Sequence, residues 1–309
     1  MGRYRATSRG GFLVLGLPGW GGYGDAIDTT RYLPQLVPDH IGPRTLIVDA
    51  ALARLLTPCG LPILPLSAPS VEEAKRAINA LARDGPHAVI LLNPLPYYLV
   101  SITDYPDGGL IPWLVDGKGS SFYGRDQVPP PVPLWADPDL RLGAKSGRLR
   151  VGLCRRGTVW AWGSWNPKID PDPRAIPVEL LRPLVATLGV EWVVLHLANY
   201  AAELRPILPD TPSLADLGVR DFADTASVVR QLDLVITTDT AVAHLAGALG
   251  TPTWLLLHSD AEGRWHTPGR YPSMRLFRQP RCAAPGDWAP VLARVADELE
   301  AWVGAAAAC

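Results

Sequence analysis

The sequence has little of the features that would indicate a function class directly. Its four cysteines are scattered, with no C-x-x-C pair, so reduced thiols are expected rather than a disulfide framework or a zinc site. No stretch approaches the roughly 20 consecutive apolar residues that a membrane-spanning helix needs. The formal net charge is −1, which gives no electrostatic reason to expect nucleic acid or an anionic membrane as a partner. These absences favour a soluble, cytoplasmic protein.

The order of apolar segments predicts an α/β protein with two domains. The 309 residues are 48% hydrophobic and 19% charged, which is enough chain for two cores. Strand-like and helix-like segments alternate over residues 12–92 and again from residue 149 onward, separated by a Pro-, Gly- and aromatic-rich stretch. The strands are unbroken apolar runs, which are typical of parallel sheets covered on both faces. We therefore predict two Rossmann-like domains, residues 1–147 and 148–309, facing each other across a cleft.

The individual elements follow from apolar periodicity and from helix start and stop signals. The predicted strands are Phe12–Leu17, Thr45–Val48, Pro62–Leu66, Ala88–Leu92, and residues 149–154, 191–197, 232–237 and 251–257. The predicted helices are Asp25–Leu36, Ala50–Leu56, Glu72–Arg83, Pro177–Leu188, Asp224–Leu232, Thr240–Gly250 and Trp288–Val303.

A glycine-rich loop follows the first predicted strand and admits two interpretations. Gly19, Gly21 and Gly24 spell G-x-G-x-x-G, and Asp49 directly follows the second predicted strand, which is the layout of a dinucleotide-binding fingerprint with an acid for the ribose. Asp25, however, begins the next predicted helix and would repel a pyrophosphate bound on the same amides. In the second interpretation Asp25 is an acid that interacts with the helix dipole, and Asp49 caps the helix that follows it.

The second half contains the most specific segment, "LDLVITTDTAVAHLAGALGTPTWLLL" at 232–257. A buried strand ends in "TDT", and a helix of small residues begins at once, with Asp239 or Thr240 positioned to cap it. Its free N–H groups and positive dipole end suit a phosphate, and His244 lies one turn beyond Thr240 on the same face. The alternative is a helix rich in alanine for packing, with His244 a hydrogen-bonded core residue.

This segment, together with "YPSMRLFRQ" (271–279) and "GGYGDAIDTTRYLPQL" (21–36), resembles the family 9 glycosyltransferases, the heptosyltransferases and their relatives. The resemblance is closest to the glycosyltransferase domains found with TPR repeats in bacterial proteins, although no such repeat occurs in this sequence. It implies the GT-B architecture, with the acceptor on the first domain, the donor on the second and the last helix packing back on the first. It also implies metal-independent transfer from a nucleotide sugar, with no cofactor, to a small-molecule or glycan acceptor.

The resemblance further implies roles for individual residues. Asp25 corresponds to the catalytic base of the family, on an acceptor-side loop formed by Gly22, Tyr23 and Gly24. The donor-binding positions are Lys168, Asp239, Thr240, Ala241 and His244.

Several other positions stay open between a functional and a structural role. Lys168 either neutralises donor phosphate or is a solvated surface lysine. The tryptophans of the same loop, Trp160, Trp162 and Trp165, either form a sugar or base platform or, as we favour, pack an interface. Asp170 and Asp172 form D-x-D between prolines and are interpreted as turn residues rather than as a metal site. Arg264 and Trp265 match an "RW" pair of the family.

The function expected from these residues is sugar transfer from a nucleotide sugar with inversion, in which Asp25 acts as the general base. Two alternatives remain: a nucleotide-sugar epimerase on the same architecture, and a non-catalytic protein that binds the nucleotide sugar. A dehydrogenase that uses NAD is the least favoured. The sugar, the nucleotide and the acceptor do not follow from the sequence.

Overall fold

The computed structural model describes residues 11–15, 22–33, 44–68, 70–84, 88–91, 130–157, 172–259, 261, 265, 269–280 and 286–307. These residues belong to two compact units. The first takes in residues up to Trp135, with 221–223 and 263–270, and the second takes in 136–220, 224–262 and 271–309. The boundary at 147/148 stays a prediction.

The first unit contains a parallel four-stranded sheet. Its strands are β1 (Gly11–Leu15), β2 (Arg44–Asp49), β3 (Ile63–Leu66) and β4 (Ala88–Leu91), in the order β3-β2-β1-β4. The helices are α1 (Tyr23–Thr29), which continues into a 3₁₀ turn at Thr30–Tyr32, α2 (Ala50–Ala53) and α3 (Val71–Asp84), and a further 3₁₀ turn spans Thr57–Cys59. Successive residues of β2 are fully buried, as expected for a parallel strand covered on both faces.

The second unit contains a parallel five-stranded sheet. Its strands are β5 (Leu149–Cys154), β6 (Val190–Val194), β7 (Leu234–Thr238), β8 (Thr253–Leu257) and β9 (Met274–Arg278), in the order β6-β5-β7-β8-β9. The helices along this half of the chain are α4 (Arg182–Val185), preceded by a 3₁₀ turn at Val178–Leu181, α5 (Ala198–Ala202), α6 (Phe222–Val229), α7 (Ala241–Leu249) and α8 (Ala289–Ala307). Two parallel sheets with helical crossovers confirm the predicted α/β class.

The strand order of the second sheet determines where a ligand can bind. From β5 the chain continues to β6 on one side, and β7 then pairs with β5 on the other side. Ligands of open α/β sheets bind at such a switch point, outside the carboxyl ends of the strands. The segments that leave β5 and β7 at these ends are Arg155–Gly157 and Asp239–Thr240. The predicted "TDT" turn therefore lies at the switch point.

Helix α8 contributes its apolar face to the core of the second unit. The core contains Val291, Leu292, Val295 and Leu299 of this helix, together with Trp288, which directly precedes it. The predicted packing of this helix on the first domain stays a prediction.

The structure differs from the sequence-based elements in several places. Helix α1 begins at Tyr23 rather than at Asp25, α2 ends at Ala53 rather than at Leu56, and α5 was not predicted. All eight predicted strands form, but the predicted helix Pro177–Leu188 is a 3₁₀ turn followed by the short α4. Pro183 explains this, because proline is tolerated in the first turn of a helix and not in its interior. Strand β9 was not predicted; it is the edge strand of its sheet, and its two arginines interrupt the apolar pattern. No helix among the described residues is long and apolar enough to cross a membrane.

Candidate functional site

The start of helix α7 lies at the switch point of the second sheet. Thr240 occupies the N-cap position, as predicted, but its hydroxyl makes no capping hydrogen bond. The hydroxyl instead lies 3.0 Å from Thr237 Oγ1 and 3.7 Å from Cys154 Sγ, both at the ends of strands. By helix geometry the N–H groups of Ala241 and of the next residue have no acceptor within the helix. The helix therefore presents backbone donors at the switch point, which is the arrangement that suits an anion.

His244 is buried one turn into the same helix, with 2% of its surface exposed. Its Nδ1 lies 3.0 Å from Tyr271 Oη, and its Nε2 lies 3.9 Å from Asp239 Oδ1. Two of the predicted donor-binding residues, Asp239 and His244, thus lie together beside the N-cap Thr240. Tyr271 was not predicted to belong to this site, although it begins the "YPS" segment that carries part of the family resemblance.

Arg174 is a second residue of this region that the sequence did not indicate. Its guanidinium pairs with Asp172 through Nε and Oδ1 at 3.0 Å, and its Nη1 lies 3.5 Å from the carbonyl oxygen of Asp239. The backbone N–H of Arg174 also donates to Asp172 Oδ1 at 3.0 Å, which is a turn-forming contact. The interpretation of Asp172 as a turn residue is therefore confirmed. Lys168, Trp160, Trp162, Trp165, Asp170 and Arg264 lie outside the described residues.

In the first unit, helix α1 begins at the predicted acceptor-side loop. Gly22 is the N-cap residue, and its N–H donates to Asp25 Oδ2 at 2.8 Å, which is one half of a capping box. Tyr23 opens the helix and Gly24 is buried within its first turn. Asp25 is thus observed as a helix-terminal acid, as one of the two interpretations predicts. Its catalytic role stays a prediction, as do the roles of the loop residues.

Asp49 ends strand β2, and its carboxylate is used by the chain itself. Oδ1 accepts the N–H of Ala51 at 2.9 Å, so the prediction that Asp49 caps the next helix is confirmed. Burial and, secondarily, the charge and hydrogen bond of Asp49 raise the pKa of the Tyr23 hydroxyl to about 12. A dinucleotide site would need this acid for the ribose. The contacts of Asp49 with Tyr23 and Ala51 therefore argue against the dinucleotide interpretation of the glycine loop.

A buried ionic cluster lies one turn further along α1. Asp28 Oδ2 is 2.5 Å from Arg270 Nη1, and Asp28 Oδ1 is 3.3 Å from Arg31 Nη2. Arg31 Nη1 also donates to the carbonyl oxygen of Arg270 at 2.9 Å. All three side chains are at most 3% exposed. Arg270 is thereby fixed to the helix that carries Asp25.

A buried histidine lies at the carboxyl ends of β5 and β6. The N–H of Arg155 donates to His196 Nε2 at 3.1 Å, which places the ring proton on Nδ1 when the imidazole is neutral. Burial, together with the charges of Arg155 and Arg156, lowers the pKa of His196 to about 3. The imidazole is therefore neutral in the fold at ordinary pH.

Acidification is expected to destabilise the second unit through His196. The pKa of His196 in the folded protein lies below the ordinary value of 6.5. The contribution of His196 to the free energy of unfolding is therefore complete above pH 6.5 and is lost as the pH falls toward 3. Between pH 7.5 and 5 the loss should be about 2 kcal/mol. Urea unfolding of the wild type and of His196→Gln measures the share of this loss that is due to His196, because glutamine keeps a hydrogen-bond acceptor but does not titrate. An equal loss in both proteins would contradict the assignment.

Within the described part of the chain, no group of three or more His, Cys, Asp or Glu side chains is arranged to hold a metal ion. Metal independence stays a prediction.

Comparisons with known proteins bear on the fold. No family model matches the chain. The chain is 27% identical over 299 residues to protein FlbA of Caulobacter vibrioides, covering 90% of this chain and 45% of that protein, so it spans less than half the length of this curated relative. The ADP-heptose LPS heptosyltransferase II of E. coli superposes with a TM-score of 0.59 at 16% identity, covering 95% of this chain and 98% of that one. A family 9 glycosyl transferase from Veillonella parvula superposes with a TM-score of 0.55 at 14% identity, covering 89% of this chain and 88% of that one.

The fold is GT-B. This conclusion rests on the two parallel Rossmann-like sheets and on the shared structure over most of both chains. The predicted fold class is thus confirmed. The association with TPR repeats stays a prediction.

Proposed function

We propose that the chain is a glycosyltransferase that takes a sugar from a nucleotide-sugar donor. The observation that carries the proposal is the site at the start of α7, where Asp239, Thr240 and His244 lie together at the switch point of a GT-B second domain. The similarity of its fold to heptosyltransferase II and to a family 9 transferase adds support.

In this proposal the donor diphosphate lies over the start of α7. The backbone N–H groups of Thr240 and Ala241 and the positive end of the helix dipole stabilise its charge. His244 donates a hydrogen bond to a phosphate oxygen, and Lys168 supplies a cation. Asp239 accepts a hydroxyl of the donor. Because heptosyltransferase II is named for an ADP-heptose donor, ADP is the first nucleotide to test.

The proposed reaction is an in-line displacement with inversion and without a metal ion. Asp25 removes the proton of the acceptor nucleophile, which forms a bond to the anomeric carbon while the bond from that carbon to the diphosphate oxygen breaks. The nucleoside diphosphate leaves with the electron pair, and the charge that grows on it is stabilised by donors already in place. Helix amides, His244 and Lys168 thus perform the charge stabilisation that a metal ion performs in other transferases.

A nucleotide screen followed by a turnover assay tests the proposal. Thermal-shift measurements with ADP, UDP, GDP, CDP and dTDP, and then with their sugars, should identify a ligand that stabilises the chain by about 2.7 kcal/mol at 100 times its Kd. Transfer to an acceptor supports the proposal. Conversion of the donor alone indicates an epimerase, and binding without turnover indicates a binding protein. If no nucleoside diphosphate binds, the proposal fails.

Replacement of His244 by alanine should weaken binding of the selected diphosphate by about 1.5–3 kcal/mol, because a hydrogen bond to a charged group is lost. Isothermal titration calorimetry measures the difference. Arg275→Ala, which alters an exposed ion pair on β9, is the matched control and should bind as the wild type does. Unchanged affinity in His244→Ala would make this histidine a packing residue.

A further inference from the structure

Tyr271 contacts the nitrogen of His244 that does not face Asp239. Its hydroxyl oxygen lies 3.0 Å from Nδ1, and both residues are buried. A neutral imidazole has one N–H and one lone pair, so the groups that face its two nitrogens together determine which nitrogen holds the proton. We propose that Tyr271 is a positioning residue that donates its hydroxyl proton to Nδ1 and thereby keeps the ring proton on Nε2. The inference rests on the donor site proposed above.

The surroundings of Nε2 favour the same tautomer. Asp239 Oδ1 lies 3.9 Å from Nε2, which is beyond an ordinary hydrogen bond, so the contact acts through charge. A bare lone pair on Nε2 would face the carboxylate oxygen and be repelled, whereas an N–H is attracted. The contacts of Asp239 and Tyr271, at opposite edges of the ring, therefore both favour the tautomer that is protonated on Nε2. That tautomer presents a hydrogen-bond donor beside the start of α7, as a bound phosphate requires.

The Tyr271 ring packs against helix α7 at Gly247, where the absence of a side chain leaves space for it. A Cβ on Gly247 would lie 2.5 Å from Cγ of Tyr271 and under 3.0 Å from both Cδ atoms, so a side chain here would displace the ring. The ring meets His244 edge-on, with centroids 5.9 Å apart. The Tyr271 carbonyl oxygen also accepts the N–H of Met274 at 3.0 Å, at the start of β9. Packing and backbone contacts thus hold the hydroxyl at Nδ1.

The tautomer can be measured directly on the full chain without any ligand. Nitrogen-15 NMR of the histidine rings, with His244→Ala to assign the signal, should show His244 in the wild type protonated on Nε2 and unprotonated on Nδ1. Tyr271→Phe keeps the ring that packs on Gly247 and removes only the hydroxyl, so the tautomer protonated on Nδ1 should become more populated than in the wild type. A proton on Nδ1 of the wild-type protein would overturn the inference.

Binding of ADP gives a second readout, which separates positioning from a structural role. Tyr271→Phe should raise the Kd for ADP about 2- to 10-fold, which is the effect of one hydrogen bond. In the His244→Ala background the same change should have no effect, because the ring that Tyr271 orients is gone. An equal loss in both backgrounds would make Tyr271 a structural residue and overturn the inference. If the wild type binds no nucleoside diphosphate, the donor site fails as a proposal, while the NMR measurement still decides the tautomer.

Discussion

Replacement of Asp28 by alanine is expected to lower the unfolding free energy of the first unit by about 3–5 kcal/mol, because it leaves buried charges uncompensated. Asp28 is the carboxylate shared by Arg31 and Arg270, and none of the three side chains is more than 3% exposed. Both guanidiniums would then lack this anion in a region of low dielectric. Urea unfolding followed by circular dichroism measures the change in the midpoint.

An exposed ion pair provides the control for this prediction. Arg275 and Glu298 are paired at 2.6 Å, with half of each side chain exposed, so Glu298→Ala should leave the midpoint nearly unchanged. Comparable effects of the two substitutions would mean that burial of the Asp28 cluster does not matter. Arg270→Met, which removes one guanidinium and fills similar volume, should cost less than Asp28→Ala because Asp28 keeps its contact with Arg31.

Asp25→Asn is expected to lower the rate of sugar transfer by about 10²- to 10⁴-fold, the usual loss when a general base is removed. The structure sharpens this test. The side-chain oxygen of an asparagine can still accept the N–H of Gly22 that now donates to Asp25 Oδ2 at 2.8 Å, so the start of α1 should stay folded. Because the base acts on the acceptor, the affinity for the donor nucleotide should be unchanged. The measurements are transfer rate, nucleotide affinity and melting temperature of the same variant.

A second acid at a helix start of the first unit serves as the control for Asp25. Asp221 Oδ1 accepts the N–H of Ala223 at 2.9 Å near the start of α6, and its Oδ2 pairs with Arg54. Asp221→Asn should retain most of the transfer rate, because it alters a capping contact and the ion pair with Arg54 but no group in the proposed proton transfer. Transfer at the wild-type rate in Asp25→Asn would remove Asp25 from the mechanism and leave it only the capping role.

The sequence predicted elements whose signals are local. Strand β5 forms over the predicted residues 149–154, because an unbroken apolar run at a parallel-sheet position has few alternatives. Helix α7 lies between Thr240 and Gly250, and Gly250 has a φ of 74°, which favours glycine at the end of a helix. The capping role of Asp49 is likewise predicted by its position between a strand and a helix. For such elements the determining residues are neighbours in the chain.

What the sequence did not predict depends on partners distant in the chain. Asp28 and Arg270 are 242 positions apart, and an arginine in a turn carries no periodicity that would indicate a buried ion pair. The position of His244 one turn into α7 could be predicted from its helix, but its contact with Tyr271 could not, since the two residues are 27 positions apart in the chain. Strand β9 was missed because its two arginines interrupt the apolar pattern.

The all-parallel topology has a consequence for the order in which the chain can fold during synthesis. Every pairing among the described strands is parallel, so none can form as a local hairpin, and each must wait for a crossover to emerge. Gly11 of β1, for example, cannot pair with β4 until Ala88 has been synthesised. In the second unit, the core is completed only when Trp288 and the helix α8 that follows it, with Leu299, have been synthesised. Until that helix leaves the ribosome, the apolar face it covers is exposed, and nascent chains are expected to depend on chaperones at this stage.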